Sequence, residues 1–490
     1  MCANRTPWVA RAFVVLVLCL YAQPLGAITR RVPTEFSTIQ GAVNASGTGD
    51  TVLVFPGTYR ENILILKDVW LRSVGGPAVT VIDGSSPSSP DTASVVAIIS
   101  PEPRITGGGI EGFDIRNGRG TRLVDGRHGG GIFFKDTGAP GPLVRNNWIH
   151  DNLVTHPTQA DGGGLSATSF WVGEVRVTSN RFYNNAIQSD TRTFGTAVSI
   201  STSSSRLEAN EIFNNHNSSQ RGFGAVWAGE AAVVGNVIAC NVGDYDSALG
   251  AYGLVEGNTI VANWSNLGGG VVRVSGGDDH VAIVRGNNIT YNFGPGLECY
   301  QRVYPPFSSF IVECNNIAFN GPGGQIIGAC SDAIGQDGNI SVDPEYGRGM
   351  GCPSSPGDWC LGPTSPLLAQ NSPPGCGLIG AWGVCPPVAV PESDARRAGG
   401  LQALPARPNP FFERTTITFY LPQPSEVEIS IYGVLGRKVR TLTAVALSAG
   451  ENELEWDGRG DDGEPAASGA YVAVIRAGGR EVTRTLLLIR

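Results

Sequence analysis

Residues 276–285, GGDDHVAIVR, set two carboxylates, Asp278 and Asp279, just ahead of an apolar run. A pair of acids beside a sugar is what glycoside hydrolysis needs, one to protonate the leaving oxygen and one to attack or to activate water. Lys135 beside Asp136 offers a second chemistry, proton abstraction from a uronate, and Glu298 is a further ionisable candidate. Asp457, Asp461 and Asp462 carry calcium-type oxygen ligands, but Arg459 stands at a ligand position and no Glu closes the loop, so a satisfied turn is expected. Cysteine and histidine nowhere take zinc spacing, and no metal site or cofactor is expected. A fourth set is made of pairs two residues apart: Trp148 and His150, Arg181 and Tyr183, Glu211 and Phe213. That spacing puts both members on one side of a strand, and flat rings with charges suit stacking on extended sugars.

Which of these groups can meet depends on a repeat. Seven segments share an aliphatic residue, Asn three on, Ile or Phe five on, and Asn eight on: VRNNWIHDN, VTSNRFYNN, LEANEIFNN, VVGNVIACN, VEGNTIVAN, VRGNNITYN and VECNNIAFN. The first Asn falls at 147, 180, 210, 236, 258, 287 and 315, and most segments are followed by a glycine-rich start to another apolar run, such as GGGL or GTAV. Short β-type runs repeating at this period mean a solenoid. Three strands per unit predict a right-handed parallel β-helix over 28–385, with Ile and Val stacked inside. The Asn residues are expected at the turns, where Asn tolerates the left-handed conformation and can bond from coil to coil. In FSTIQGAVNAS, Ser37 and Gln40 read as a capping box for a short helix that covers the open end through Ile39, Ala42 and Val43.

This frame sorts the candidates. The residues flanking each inward Ile or Phe point out, so the Trp148–Phe213 pairs form an aromatic and charged stripe, with small residues such as Val237 and Thr259 further on. The stripe is read as a glycan contact unless the 153–161 loop covers it. A second outward row follows the glycines: Phe133, Lys135, Ser166, Thr168, Ser199, Ser201, Trp227, Glu298 and Tyr300. Its mixture of Ser and Thr reads as a solvated sheet, with Trp227 as a ligand-binding candidate.

Several resemblances attach to these stretches. Gly276 to Leu297 resembles the polygalacturonase pattern, but Asp278 and Asp279 fall in the loop after the glycine-led strand. The family's Asn-Thr-Asp and Arg-Ile-Lys are missing, and its Gly-His-Gly is replaced by Gly294-Pro295-Gly296. PTEFSTIQGAVNASGTGDTVLVFPGTYRENI resembles the entry segment of pectin-lyase-like β-helix proteins. GNISVDPEYG and TSPLLAQNSPPGCGLIGAWG resemble the closing segment of secreted bacterial β-helix proteins.

After 385 the period changes. Residues 386–403 read as a linker. TTITFYL, VEISIYG, ENELEWDG, AYVAVIR and VTRTLLLI then alternate in twos, which predicts a small antiparallel β-sandwich over 404–490. PARPNPFFERTTITFYLPQPSEVEISIYG and WDGRGDDGEPAASGAYVAVIRAGG resemble the immunoglobulin-like domain shared by flagellar-hook capping proteins and type IX-like sorting domains. That resemblance implies export and delivery or attachment at a bacterial surface, with the export machinery as partner.

The chain ends and the charge balance agree with an exported, nearly all-β protein. Arg5 and Arg11 precede a short apolar run, Ala12 to Ala22, and small residues follow at Gly26 and Ala27, a cleavable signal over 1–27. The eight cysteines beyond it are even in number and suggest disulfides, with Cys352–Cys360 and Cys376–Cys385 close enough for local bridges. Only 16% of residues are charged, with 35 basic against 43 acidic, which leaves no basic surface for nucleic acid. A monomeric surface protein binding polysaccharide, or forming a scaffold, is the leading expectation. A lyase or hydrolase of uronic-acid glycans is the alternative, with Lys135 and Glu298 as its candidate catalytic residues.

Overall fold

The computed structural model describes residues 27–488 apart from 101–103, 168–172, 220–221, 244–246, 266–268, 277–280, 302–308, 349–351, 353–358, 386–400, 405, 410, 412 and 434–436. Asp278, Asp279, Thr168 and residues 1–26 of the expected signal segment lie outside the described residues. The chain is nearly all β, and its first part is a parallel β-helix followed by an antiparallel sandwich.

Three long parallel sheets form the walls of the solenoid, with 11, 10 and 10 strands. An aliphatic face runs from Thr29–Val32 through Val144 and Val284 to Phe310–Glu313. An asparagine face runs from Gly57–Tyr59 through Trp148–His150 to Asn316–Ala318, and a glycine-led face from Ile63–Ile65 through Ile132–Lys135 to Ile326–Gly328. Every neighbouring pair in these walls is parallel, so each coil touches only the coils before and after it. Middle residues such as Val144, Val177 and Leu207, or Ile149, Phe182 and Ile212, are buried in one continuous core. Each such side chain contributes roughly 1.5–3 kcal/mol.

Two asparagine ladders tie the coils at the corners. Asn147, Asn180, Asn210, Asn236, Asn258, Asn287, Asn315 and Asn339 form one, each Nδ2 donating to the next Oδ1 at 2.9–3.0 Å. Asn152, Asn185, Asn215, Asn241, Asn263, Asn292 and Asn320 form the other. The same Oδ1 also accepts the previous coil's backbone N–H, and Nδ2 also bonds a carbonyl of the previous coil, as in Asn180 to Val144. These buried amides therefore lose no hydrogen bonds on leaving water.

The left-handed residue at each corner is not the ladder Asn, as the sequence suggested, but the residue before it. Asn146, Ser179, Ala209, Gly235, Gly257 and Gly286 take φ of 53–64°. That turn aims the following Asn side chain along the axis. At the entry end, Ile39–Ala45 is helical and buries Ile39, Ala42 and Val43, but its cap is Thr38, which accepts from the Gly41 N–H, rather than Ser37. Gln40 instead bonds Leu64 in the first coil, pinning the helix over the stack.

The far end closes differently from expectation. The four disulfides are Cys240–Cys352, Cys299–Cys330, Cys314–Cys376 and Cys360–Cys385, so neither local bridge forms. Two of them, Cys240–Cys352 and Cys314–Cys376, tie the 340–385 segment back along the solenoid as a strap, and Cys360–Cys385 closes a loop within it, because a tail without long strands has little core of its own to hold it.

The sandwich has its own core around Phe411, Phe419, Ile429, Trp456 and Ile475. Its sheets are Gln402–Ala403, Thr415–Leu421 and Gly450–Trp456 in one, and Lys438–Leu447, Ser425–Gly433, Gly469–Ala477 and Arg480–Leu488 in the other. Lys438–Leu447 was not legible as a strand, since its apolar residues do not alternate cleanly with polar ones.

Candidate functional site

Strand register sorts the predicted stripe into two rows. Trp148, Arg181 and Glu211 are partners in one, and His150, Tyr183 and Phe213 in the other. In the first row the Arg181 guanidinium lies 5.5 Å from the centre of the Trp148 ring and 3.2 Å from Glu211. With Pro77 and the corner residues Asn146, Ser179 and Ala209, this trio lines a groove of about 260 Å³. Burial pushes the Glu211 carboxyl up, against the opposing pull of Arg181.

The second row is a stack of rings. His150 and Tyr183 lie 4.4 Å apart and Tyr183 and Phe213 5.2 Å apart, all nearly parallel. His150 Nε2 meets Asp114 at 3.0 Å and Nδ1 meets Asp151 at 2.7 Å. Burial alone would push this imidazole down, but bonds and charge from Asp114 and Asp151 outweigh it and hold the proton on. With both nitrogens committed, the ring has no lone pair for base chemistry. Tyr183 is pushed up to about 12 by burial and by the two aspartates, which also removes it as a base near neutral pH.

Beyond Phe213 the face is covered, though not by residues 153–161, which form the strands Leu153–Thr155 and Gln159–Asp161. The strap covers it. Trp359 is 1% exposed and packs with Phe213, Val237, Val261 and Tyr291. Tyr346 hydroxyl bonds Asn288 and Thr290, and Ala381 N–H bonds Thr259. The stripe is therefore divided: Phe213 belongs to the covered part, His150 is buried within its own charge network, and Trp148, Arg181, Tyr183 and Glu211 remain half-exposed.

The glycine-led face differs from the solvated sheet expected of it. Phe133, Ser166 and Ser199 are buried. Lys135 stands 3.9 Å from Asp136, and no third catalytic group joins them among the described residues. Glu298 bonds the Gly270 N–H and lies 3.8 Å from Arg273, so it is a positioned structural acid rather than part of a carboxylate pair. Trp227 packs among Phe194, Phe223 and Tyr252 at 5.0–5.3 Å, tilted against the first two and edge-on to the third. These last three residues were missed from sequence, where only their aromatic type signals them.

In the sandwich, Asp457 accepts from the Arg459 N–H, Asp462 from Glu464 and Asp461 from Thr441, each serving a turn. Among the described residues, no group of three or more His, Cys, Asp or Glu could hold a metal ion, and no helix is long and apolar enough to cross a membrane.

Comparison with known proteins reaches the sandwich. Residues 410–480 match the FlgD Ig-like domain family. No curated protein matches the chain. Among solved structures, dimeric latent PorU from Porphyromonas gingivalis is similar at 21% identity and a TM-score of 0.16, over 18% of this chain and 9% of that one. The chain is thus a parallel β-helix with four disulfides, followed by an immunoglobulin-like domain of the FlgD type.

Proposed function

We propose that this is a secreted or cell-surface bacterial protein whose solenoid binds polysaccharide, and whose C-terminal domain serves secretion or attachment. The observation that carries the reading is the Trp148 groove. An indole, a guanidinium and a carboxylate from three successive coils line one recess at the surface, and together they offer an apolar platform with hydroxyl-binding groups at its edge. Binding rather than turnover fits the same geometry, because the acids and the imidazole nearby are held in ion pairs.

The test is native electrophoresis of the secreted chain through gels containing β-glucan, xylan or polygalacturonate, with reducing ends and unsaturated uronide absorbance followed in parallel. Retardation without products is expected, and Trp148→Ala with Arg181→Ala should weaken it about tenfold, equivalent to ~1.4 kcal/mol. Free mobility of the parent chain in every gel would overturn the reading.

A further inference from the structure

Among the described residues, Ile28 is the first whose backbone is bonded into the solenoid. Its N–H donates to Asp50 Oδ1 at 2.8 Å, and its carbonyl accepts from the Thr51 N–H at 2.9 Å. Thr29–Val32 then pairs in register with Thr51–Val54. Asp50 is buried, and its two carboxylate oxygens are divided. Oδ2 accepts from the Gly47 N–H at 2.8 Å and from the Arg30 guanidinium at 3.3 Å, whereas Oδ1 serves the Ile28 nitrogen. The Asp50 carbonyl also accepts from the Trp70 N–H, so this one residue ties the entry strand to the next coil. Ala27 and Ile28 are themselves exposed. In sequence they follow the short apolar run, Pro24 and the small residue Gly26, the pattern that a signal-processing peptidase accepts.

We propose that the bond between Ala27 and Ile28 is a processing site, and that the ammonium group which its cleavage creates on Ile28 locks the first coil by pairing with Asp50. This rests on the export part of the functional reading and not on the polysaccharide part. The step is a hydrolysis. Water adds across the amide, the C–N bond breaks, and the carboxyl left on Ala27 gives its proton to the amine left on Ile28. The same nitrogen then carries three protons and a full charge instead of one proton and none, beside a carboxylate shielded from water. A hydrogen bond between two ionised groups is shorter and stronger than one from a neutral amide. Asp50 is ready to receive it: the Ile28 and Gly47 N–H groups hold its carboxyl below the usual range, with charge from Arg30 and Lys67 adding to them. Those two side chains are also the cations that compete for Asp50, and the division of its oxygens keeps Arg30 on the other one. Pairing raises the amine above the value of about 7.7–8.0 that it has when free. Its stabilisation is therefore fully present below that value and is lost as pH rises through the higher folded one. Cleavage on this account does more than remove a leader, because it completes the entry end of the solenoid.

The test is N-terminal sequencing of the full secreted chain, followed by labelling with acetic anhydride from neutral to alkaline pH. Mass spectrometry of the N-terminal peptide reads the α-amine apart from Lys67, Lys135 and Lys438, the other amines of the chain. Ile28 is expected as the first residue. At neutral pH its amine should be labelled about tenfold more slowly than in the same chain unfolded in urea, as a rise of one pKa unit implies. The midpoint of labelling should lie higher in the folded chain, and Asp50→Asn should return it to the unfolded value. Burial alone would slow labelling but move the midpoint down. An unchanged or lowered midpoint therefore overturns the ion pair and leaves export standing. A midpoint that stays raised in Asp50→Asn overturns Asp50 as the partner. Another first residue overturns the processing site, and a chain that keeps residues 1–27 overturns the export reading as well. If Asp50→Asn does not fold, the midpoint of the parent chain decides, because it needs no substitution.

Discussion

The asparagine face is one sheet with two fates. Around the groove Trp148, Arg181 and Glu211 stay half-exposed, while from Phe213 to Tyr291 the outer residues are sealed under the disulfide-held strap. Both halves share the parallel register and the asparagine ladders, so the difference lies in what sits outside the wall. In the sealed half the outward residues are small or aliphatic, Val237, Ala239, Thr259 and Val261, and they leave room for Trp359. In the open half they are large and charged, and among the described residues no strap residue lines the Trp148 groove. The corner column changes in step: Asn146, Ser179 and Ala209 carry side chains through the left-handed turn beside the groove, whereas Gly235, Gly257 and Gly286 serve the sealed half.

The largest test of this division is to cut the strap loose. Cys240→Ser with Cys352→Ser opens a cross-link spanning 112 residues of sequence. Stability to urea should fall by about 2–4 kcal/mol. Amide exchange at Gly380 and Ala381 should quicken, because their bonds to Gly286 and Thr259 hold the strap down. Exchange at Arg181 and Glu211 should not change. Equal loosening of both halves would mean that the strap supports the whole solenoid and that the division is only one of shape.

Sequence reading reached the walls more easily than the surface. The Asn-to-Asn spacing of five is fixed within every repeat, so the inward and outward residues of the asparagine face could be read residue by residue, and the pairs at 148–150, 181–183 and 211–213 fall on the outside as expected. The distance from that frame to the glycine-led strand varies with the turns, so Phe194, Phe223 and Tyr252 could not be placed beside Trp227. The strap was hidden for a related reason. Its hold comes from cysteines far apart in sequence, and spacing alone favoured the wrong, local pairs. The covering of Ser166 and Ser199 likewise depends on tertiary packing that no period reports.

A smaller effect tests the open half alone. His150 bridges Asp114 and Asp151, and its pKa is raised in the folded chain. The stabilisation it gives is fully present below the unfolded value, near about 6.5, and is lost as pH rises through the higher folded value. Urea midpoints of the parent and of His150→Gln should therefore differ most at acid pH and converge at alkaline pH, where Asp114 and Asp151 face a neutral side chain in both. A gap that widens with pH would show that the two carboxylates hold a neutral ring.

The smallest effect concerns the corner beside the groove. Ala209 sits at φ 53° with a Cβ that the left-handed region disfavours by roughly 1–2 kcal/mol. The next coil uses Gly235 at the same corner, so the ladder bond from Asn210 to Asn236 does not require a side chain there. Ala209→Gly should relieve the strain and gain about 0.5 kcal/mol after the extra chain entropy of glycine is lost on folding. The same change removes a methyl group from the groove wall, so retardation by polysaccharide should weaken while the urea midpoint rises. Opposite movements in the two measurements would identify the corner as a place where stability is given up for a shaped surface. A midpoint that falls would mean that the alanine packs well enough in the groove to outweigh its backbone strain, and the contrast with the glycine corners would then reflect packing alone.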